Sequence, residues 1–405
     1  MIGVAQAVAR LSRRELSAEE LVGQCLAHIE EREPVVQAWQ LVDGEGALRE
    51  ARRIDGLRER PPLCGVPVGI KDLIDTFDLP TEYGSPIHRG HQPSRDAGCV
   101  RSLREAGAVI LGKTVTTEFA VYTPGKTRNP RDTRRTQGGS SSGSEAAVAD
   151  GMVPFALGTQ TAGSVIRPAS YCGVIGWKGS FGVVSLAGVH PLAPSLDTLG
   201  FFVRELEDVP LVFEALTGRR LRPAAPPRRF WFCRTELWDR VEPSAQRALE
   251  EAAQRLALTG VEVVDVELPP GLAEAQIAIM GAEAAVSLRG EPREQLSQRL
   301  REMIDEGFAV SPERLRAAHK LAGSTAFPLV DAILAAAAPS EAPLGLTATG
   351  DPALSRIWTL LGAPCVSLPL LHGPSGLPLG LQLIAGRGED ERLLAAAAYV
   401  EQNLH

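Results

Sequence analysis

The chain has 405 residues, 44% of them hydrophobic and 22% charged, a globular balance that excludes disorder and collagen-like order. With 49 acidic and 42 basic residues the net charge is −7, and aromatics make up only 5%, so neither a phosphate-binding face nor a base-stacking surface is well supplied. No nucleic-acid partner is expected, and no apolar run approaches the ~18 residues of a membrane span.

At ~150 residues per domain the length would allow two or three domains, yet large α/β enzymes often build this length around one sheet. Residues 1–60 read as polar amphipathic helices. The opening MIGVAQAVARLSRREL lacks a continuous apolar core with a small-residue cleavage site, so no signal peptide is expected and a cytoplasmic location follows. Ser17 begins S-A-E-E, a capping box with Glu20, and Leu21, Val22, Cys25, Leu26 and Ile29 then recur on one helical face. From Gly65 short apolar runs (GVPVGI, GAVILGK, MVPFALG, GVIGW) alternate with Gly/Ser/Thr-rich turns and helical stretches, the pattern of a buried α/β sheet. TGRRLRPAAPPRR, residues 217–229, reads as a loop. Beyond it, Glu242 to about Ala337 is expected to be mostly charged, Ala-rich helix, with strands near RFWFC and VEVVDVELP. From Pro339 apolar strands return (APCVSLPLL, LPLGLQLIAG), and a final helix closes the chain. The expectation is one large α/β domain, 1–405, made of N-terminal helices (1–60), a core (65–215), a variable and mostly helical part (216–340) and a C-terminal return to the core (341–405).

The six cysteines (Cys25, Cys64, Cys99, Cys172, Cys233 and Cys365) form no CxxC and read as core fillers in a reducing compartment. His88 and His91 are the one close histidine pair, in a Pro- and Arg-containing stretch, and no metal is expected there. Two motif matches fail on context. GAVILGKT, Gly107 to Thr114, fits a phosphate loop by letters, but Ala108, Val109, Ile110 and Leu111 belong in a buried strand. GSSSG, Gly139 to Gly143, fits a nucleophile elbow but has no apolar strand leading into it.

Two Ser/Gly-rich segments and one lysine carry more chemistry. GGSSSGS spans Gly138 to Ser144, GTQTAGSVIRPAS spans Gly158 to Ser170, and Lys71 ends the apolar stretch GVPVGIKD. Taken singly, each is readable as loop or solvated lysine. Together they offer a nest of backbone N–H groups for an anion, a serine beside it and a base. Lysine is a base only when neutral, and burial beside Val68 and Ile70 disfavours its charged form. A second serine between them relays a proton, accepting on one side and donating on the other.

With these segments the chain resembles the amidase signature family. The resemblance runs from SRRELSAEELVGQCLAHIE through GVPVGIKD, DAGCVRSLREAGAVILGKTVTTEFA, the serine segments and CGVIGWKGSFG to LGAPCVSLPL and GLPLGLQLIAG, and is weakest between Thr217 and Ala337. It implies a single domain with a central mixed β-sheet flanked by helices, and a Ser-cisSer-Lys triad. By motif, Lys71 is the base, Ser164 the nucleophile, and Ser140, 24 residues before Ser164, the relay serine after a cis Gly139–Ser140 bond. The oxyanion hole falls on the backbone N–H groups of Thr161, Ala162, Gly163 and Ser164. Gln160 stands where many members have Asp, Ala162 where glycine is common, and the arginine of SVIRP is Arg167. Gln160 and Arg167, with GGSSSGS, resemble the malonamidase branch, in which that arginine holds a substrate carboxylate; pairing of Arg167 with a protein carboxylate is the alternative. The implied activity is hydrolysis of a small amide, with carboxylate-bearing substrates favoured, to acid and ammonia through an acyl-enzyme, with no cofactor, no metal and, by analogy, a homodimer. The rival readings are the amidase subunit of a glutamyl-tRNA amidotransferase and an inactive ligand-binding member.

Overall fold

A computed structural model of the chain describes residues 2–222, 224–327 and 330–404. Among the described residues eleven strands form one sheet: β1 (Trp39–Val42), β2 (Pro67–Lys71), β3 (Val109–Thr114), β4 (Phe155–Gln160), β5 (Ile175–Lys178), β6 (Thr198–Val203), β7 (Arg229–Cys233), β8 (Glu262–Val266), β9 (Ala332–Ala336), β10 (Cys365–His372) and β11 (Pro378–Ile384). Their spatial order is β1-β3-β2-β4-β6-β5-β10-β11-β9-β7-β8. The sheet is mixed: β2 runs parallel to both β3 and β4, and β7 parallel to both β8 and β9, while the remaining neighbours are antiparallel. Every residue of β2, β3, β4, β5, β6 and β9 is buried. Burial on both faces is why these strands read as continuous apolar runs and not as alternation.

The helix Ala18–Val36 starts at Ser17 with both bonds of its capping box, and Leu21, Val22, Cys25 and Ile29 are buried along it, with Leu26 half-buried. The 242–337 region holds the expected helices Pro243–Ala257, Leu272–Ser287, Gln298–Phe308 and Pro312–Ser324. Residues 219–222 and 224–228 are without helix or strand, as the Pro/Arg composition requires.

Three strands depart from the expectation. The segment AILAA, expected to be part of an Ala-rich helix, is β9; it lies fully buried between β11 and β7, and the pairing outweighs alanine's helix preference. β1, inside the segment expected to be all helical, is a four-residue strand along β3 at the sheet edge, too short to show a period. β6, with Gly200 at its centre, pairs with β4 and β5.

Both rejected motifs have the predicted context. Val109–Thr114 is the buried β3, so no phosphate-wrapping loop exists there. GSSSG follows irregular chain and leads into the helix Ser142–Ala149. All six cysteines are buried and none takes part in a disulfide among the described residues. Among the described residues no helix is long and apolar enough to cross a membrane.

Candidate active site

Because β2 and β4 are parallel neighbours, their carboxyl ends lie together, and these ends carry Lys71 and the pair Thr159–Gln160. The helix Ser142–Ala149 follows the serine segment directly, so Ser140 and Ser141 sit just ahead of its first turn. Gly138 has φ 98°, and a Cβ there would lie 2.8 Å from Pro168 Cα, so only glycine fits this approach to the chain after Arg167. The Gly139–Ser140 peptide is cis, as the resemblance implied.

Lys71 is fully buried. Its Nζ lies 2.8 Å from Ser140 Oγ, 2.7 Å from Thr159 Oγ1 and 3.2 Å from Ser141 Oγ. Ser141 Oγ donates to the carbonyl of Ser164 at 2.7 Å, which fixes it as an acceptor toward the lysine. Burial pushes the Lys71 pKa down to about 7, against the opposing influence of Glu145 and Asp197. Glu145 is itself buried, neither of its carboxyl oxygens has a hydrogen-bond partner in the protein, and burial holds it well above the usual carboxylate range. Both groups are thereby driven toward their uncharged forms. Near pH 7 a large part of Lys71 is the free amine.

Segment 161–164 is held by its carbonyls and open at its amides. Gln276 Nε2 donates to the Thr161 carbonyl at 2.8 Å, and Thr359 Oγ1 to that of Ala162 at 2.9 Å. The Arg167 amide donates to the Gly163 carbonyl at 3.0 Å, and Ser141 takes that of Ser164. Among the described residues, none of the N–H groups of residues 161–164 is taken by a protein acceptor. Four pinned carbonyls with four free amides give a preorganised set of donors for a developing negative charge.

The two departures from the family pattern fit this frame. Gln160 Oε1 accepts from the amides of Val165 (2.8 Å) and Ile166 (3.1 Å), as a carboxylate would. Its Nε2 also donates to Thr359 Oγ1 at 3.0 Å, which leaves that hydroxyl's proton for Ala162. Ala162 is not at positive φ, so its Cβ meets no backbone penalty.

Ser140, Ser164, Thr161, Ala162 and Arg167 line one pocket with about 460 Å³ of empty space, its open mouth included. Lys71 stands behind Ser140, and Gly163 is not among the lining residues; a Cβ there would lie 3.2 Å from the Pro352 Cβ. Ser164 is partly exposed to the pocket, whereas Ser140 is buried at 4% exposure. Arg167 is not paired with a protein carboxylate: its Nη2 donates to the carbonyl of Gly139 and to Thr349 Oγ1, and its Nε has no partner in the protein.

Sequence patterns assigned no role to Thr159, Ser141, Gln276, Thr359 or Arg356. Thr159 follows from strand pairing, since it lies two residues beyond the Ile70–Leu157 pair and so reaches Lys71. The other four contacts depend on the tertiary fold. His88 and His91 join an aromatic cluster with Tyr83, Phe119 and His190.

Residues 20–394 match the Amidase family model. Two curated relatives are each described as a subunit of glutamyl-tRNA(Gln) amidotransferase. The protein of Koribacter versatilis is 31% identical over 97% of this chain and 96% of its own length. That of Nitratidesulfovibrio vulgaris is 34% identical over 96% and 94%. Among solved structures, one described as an amidase superposes with a TM-score of 0.90 at 29% identity, covering both chains completely. The chain therefore belongs to the amidase signature family and is a hydrolase of amide C–N bonds.

Proposed function

We propose that the chain releases ammonia from a small amide bearing a carboxylate, using Ser164 as nucleophile, Ser140 as proton relay and Lys71 as base. The observation that carries this reading is the contact of the fully buried Lys71 with Ser140 beside four open backbone amides.

The Lys71 amine takes the Ser140 proton while Ser140 Oγ takes that of Ser164. Ser164 Oγ then forms a bond to the amide carbon, and the carbonyl π pair moves onto oxygen, facing the amides of residues 161–164. Collapse breaks the C–N bond as the leaving nitrogen receives the proton from Lys71 through Ser140. Ammonia departs and the acyl group stays on Ser164. Water attacks the ester with the same base assistance, releasing the acid and restoring Ser164. Arg167, without a carboxylate partner on the pocket wall, suits a substrate carboxylate.

A second reading is the ammonia-producing subunit of a glutamyl-tRNA amidotransferase. The descriptions of the curated relatives favour it over an autonomous small-amide hydrolase. Both readings share the chemistry, since glutamine is also a carboxylate-bearing primary amide. Ammonia release from malonamate, aliphatic amides, aryl amides and glutamine separates them, with Ser164→Ala and Arg167→Ala run beside wild type. Turnover of malonamate that is lost in Ser164→Ala and collapses in Arg167→Ala supports the first. Turnover of glutamine alone, or only with a tRNA-binding partner present, supports the second. Silence toward every amide with or without a partner contradicts both.

A further inference from the structure

A second guanidinium faces the same pocket. Arg356, in the helix Ala353–Leu360, is 7% exposed and shares the pocket wall with Ser164, Ser140 and Arg167. Every hydrogen bond of the two arginines goes to an uncharged group. Arg167 donates to the Gly139 carbonyl and Thr349, while Arg356 donates through Nη1 to Gln276 and the Met280 sulfur. No carboxylate pairs with either among the described residues, and none lines the pocket. Asp351, next to the lining residues Gly350 and Pro352, is occupied by Arg240 at 3.0 Å. Buried Lys113, by contrast, has a carboxylate, Asp72, at 3.3 Å. Two like charges held in one desolvated pocket are costly until an anion joins them; burial presses the Arg167 pKa down most and Arg356 adds to it, against the opposing influence of Tyr171, Asp351 and Glu145.

We propose that Arg356 is a second anion-recognition residue, binding the substrate carboxylate together with Arg167, and that the pair selects anionic amides carrying no ammonium group. The inference rests on the amidase reading of this pocket and narrows its substrate class. An ammonium such as glutamine's would sit among cations with no carboxylate to receive it. Glutaramate is glutamine without that amino group, so the two isolate the effect. Arg356 is also the cleaner probe of carboxylate recognition, because Arg167 additionally holds the carbonyl of the Gly139–Ser140 peptide.

The competing role is mechanical. Gln276 bonds both Arg356 and the Thr161 carbonyl, so in that competing role Arg356 would only prop the oxyanion segment through Gln276. A prop serves neutral and anionic amides alike, whereas an anion site does not. The experiment measures kcat/KM of the full chain for glutaramate, glutamine and butyramide in wild type, Arg356→Gln and Arg356→Lys. In parallel, calorimetry follows glutarate binding to Ser164→Ala with and without Arg356→Gln. The expected result is glutaramate favoured over glutamine by at least ~10-fold. Arg356→Gln then lowers glutaramate turnover by ~30-fold or more and butyramide turnover by under ~3-fold, with partial recovery in Arg356→Lys, and weakens glutarate by at least ~10-fold. Equal losses on glutaramate and butyramide, or glutarate binding indifferent to Arg356, overturn the proposal. If wild type cleaves no amide with or without a tRNA-binding partner, glutarate binding decides alone: dependence on Arg356 sustains the anion site and contradicts the amidase reading, while independence contradicts the site.

Discussion

Three hydroxyls surround Lys71 Nζ, and a free amine has two N–H bonds and one lone pair. Ser141 already gives its proton to the Ser164 carbonyl, so it accepts from the lysine. If Thr159 accepts the other N–H, the lone pair is left for the Ser140 proton, which is the direction the relay requires. Thr159→Val therefore lowers kcat by about 10-fold with little change in KM, and Thr159→Ser restores it; steady-state kinetics on the best amide check this. The same amine sets the pH dependence. Activity needs neutral Lys71, so kcat/KM falls as pH drops below about 7 and levels off above it. Stability carries the matching sign. Lys71 binds its proton less readily in the folded chain (about 7) than at its ordinary 10.5, so its burial penalty is absent above 10.5, grows as pH falls and is complete below about 7. Denaturant unfolding at pH 7 and pH 9 tests this: the stability of Lys71→Met relative to wild type is greater at pH 7. A gap that widens toward pH 9 contradicts the assignment.

At the scale of elements, β4 and the turn beyond it carry the burden of the site. Gln160 ends the strand and satisfies two amides of the next helix's approach while orienting Thr359, which in turn holds Ala162. Gln160→Ala strips two buried N–H groups of their acceptor, and at about 1–3 kcal/mol for each unsatisfied group the expected loss is about 2 kcal/mol or more. Urea unfolding measures that loss, and kcat should fall with it because the Ala162 and Gly163 amides lose their fixed geometry. An unchanged midpoint with unchanged kcat contradicts this reading of Gln160. Most of this element was legible beforehand: GVPVGI and MVPFALG read as buried strands, with Lys71 and the GTQTAGS segment at their ends, and those ends are where the site lies. What pins segment 161–164 from outside was not legible. Gln276 and Thr359 arrive from helices more than a hundred residues downstream, and nothing in AEAQIAIM or SRIWTLLG marks one residue as facing a distant carbonyl. AILAA failed for a different reason. Its composition is as suitable for a helix as for a buried strand, and only the gap between β7 and β11 decides.

For the whole molecule, one eleven-stranded sheet joins the N-terminal half, which supplies Lys71, Ser140 and Ser164, to the C-terminal part, which supplies Arg356 and Thr359. All groups named in the proposed reaction lie within this one chain. The purified chain is therefore expected to turn over its amide as it elutes alone from gel filtration, without added subunits; activity that appears only with a partner would favour the amidotransferase reading. The central claim is that Ser164, activated through Ser140 by Lys71, is the nucleophile. Intact-protein mass spectrometry after treatment with a fluorophosphonate, followed by peptide mapping, tests it most directly. The account predicts one adduct, on Ser164, absent in Ser164→Ala and formed at least ~100-fold more slowly in Lys71→Met. An adduct on another serine, or labelling of Ser164 at an undiminished rate in Lys71→Met, would contradict it.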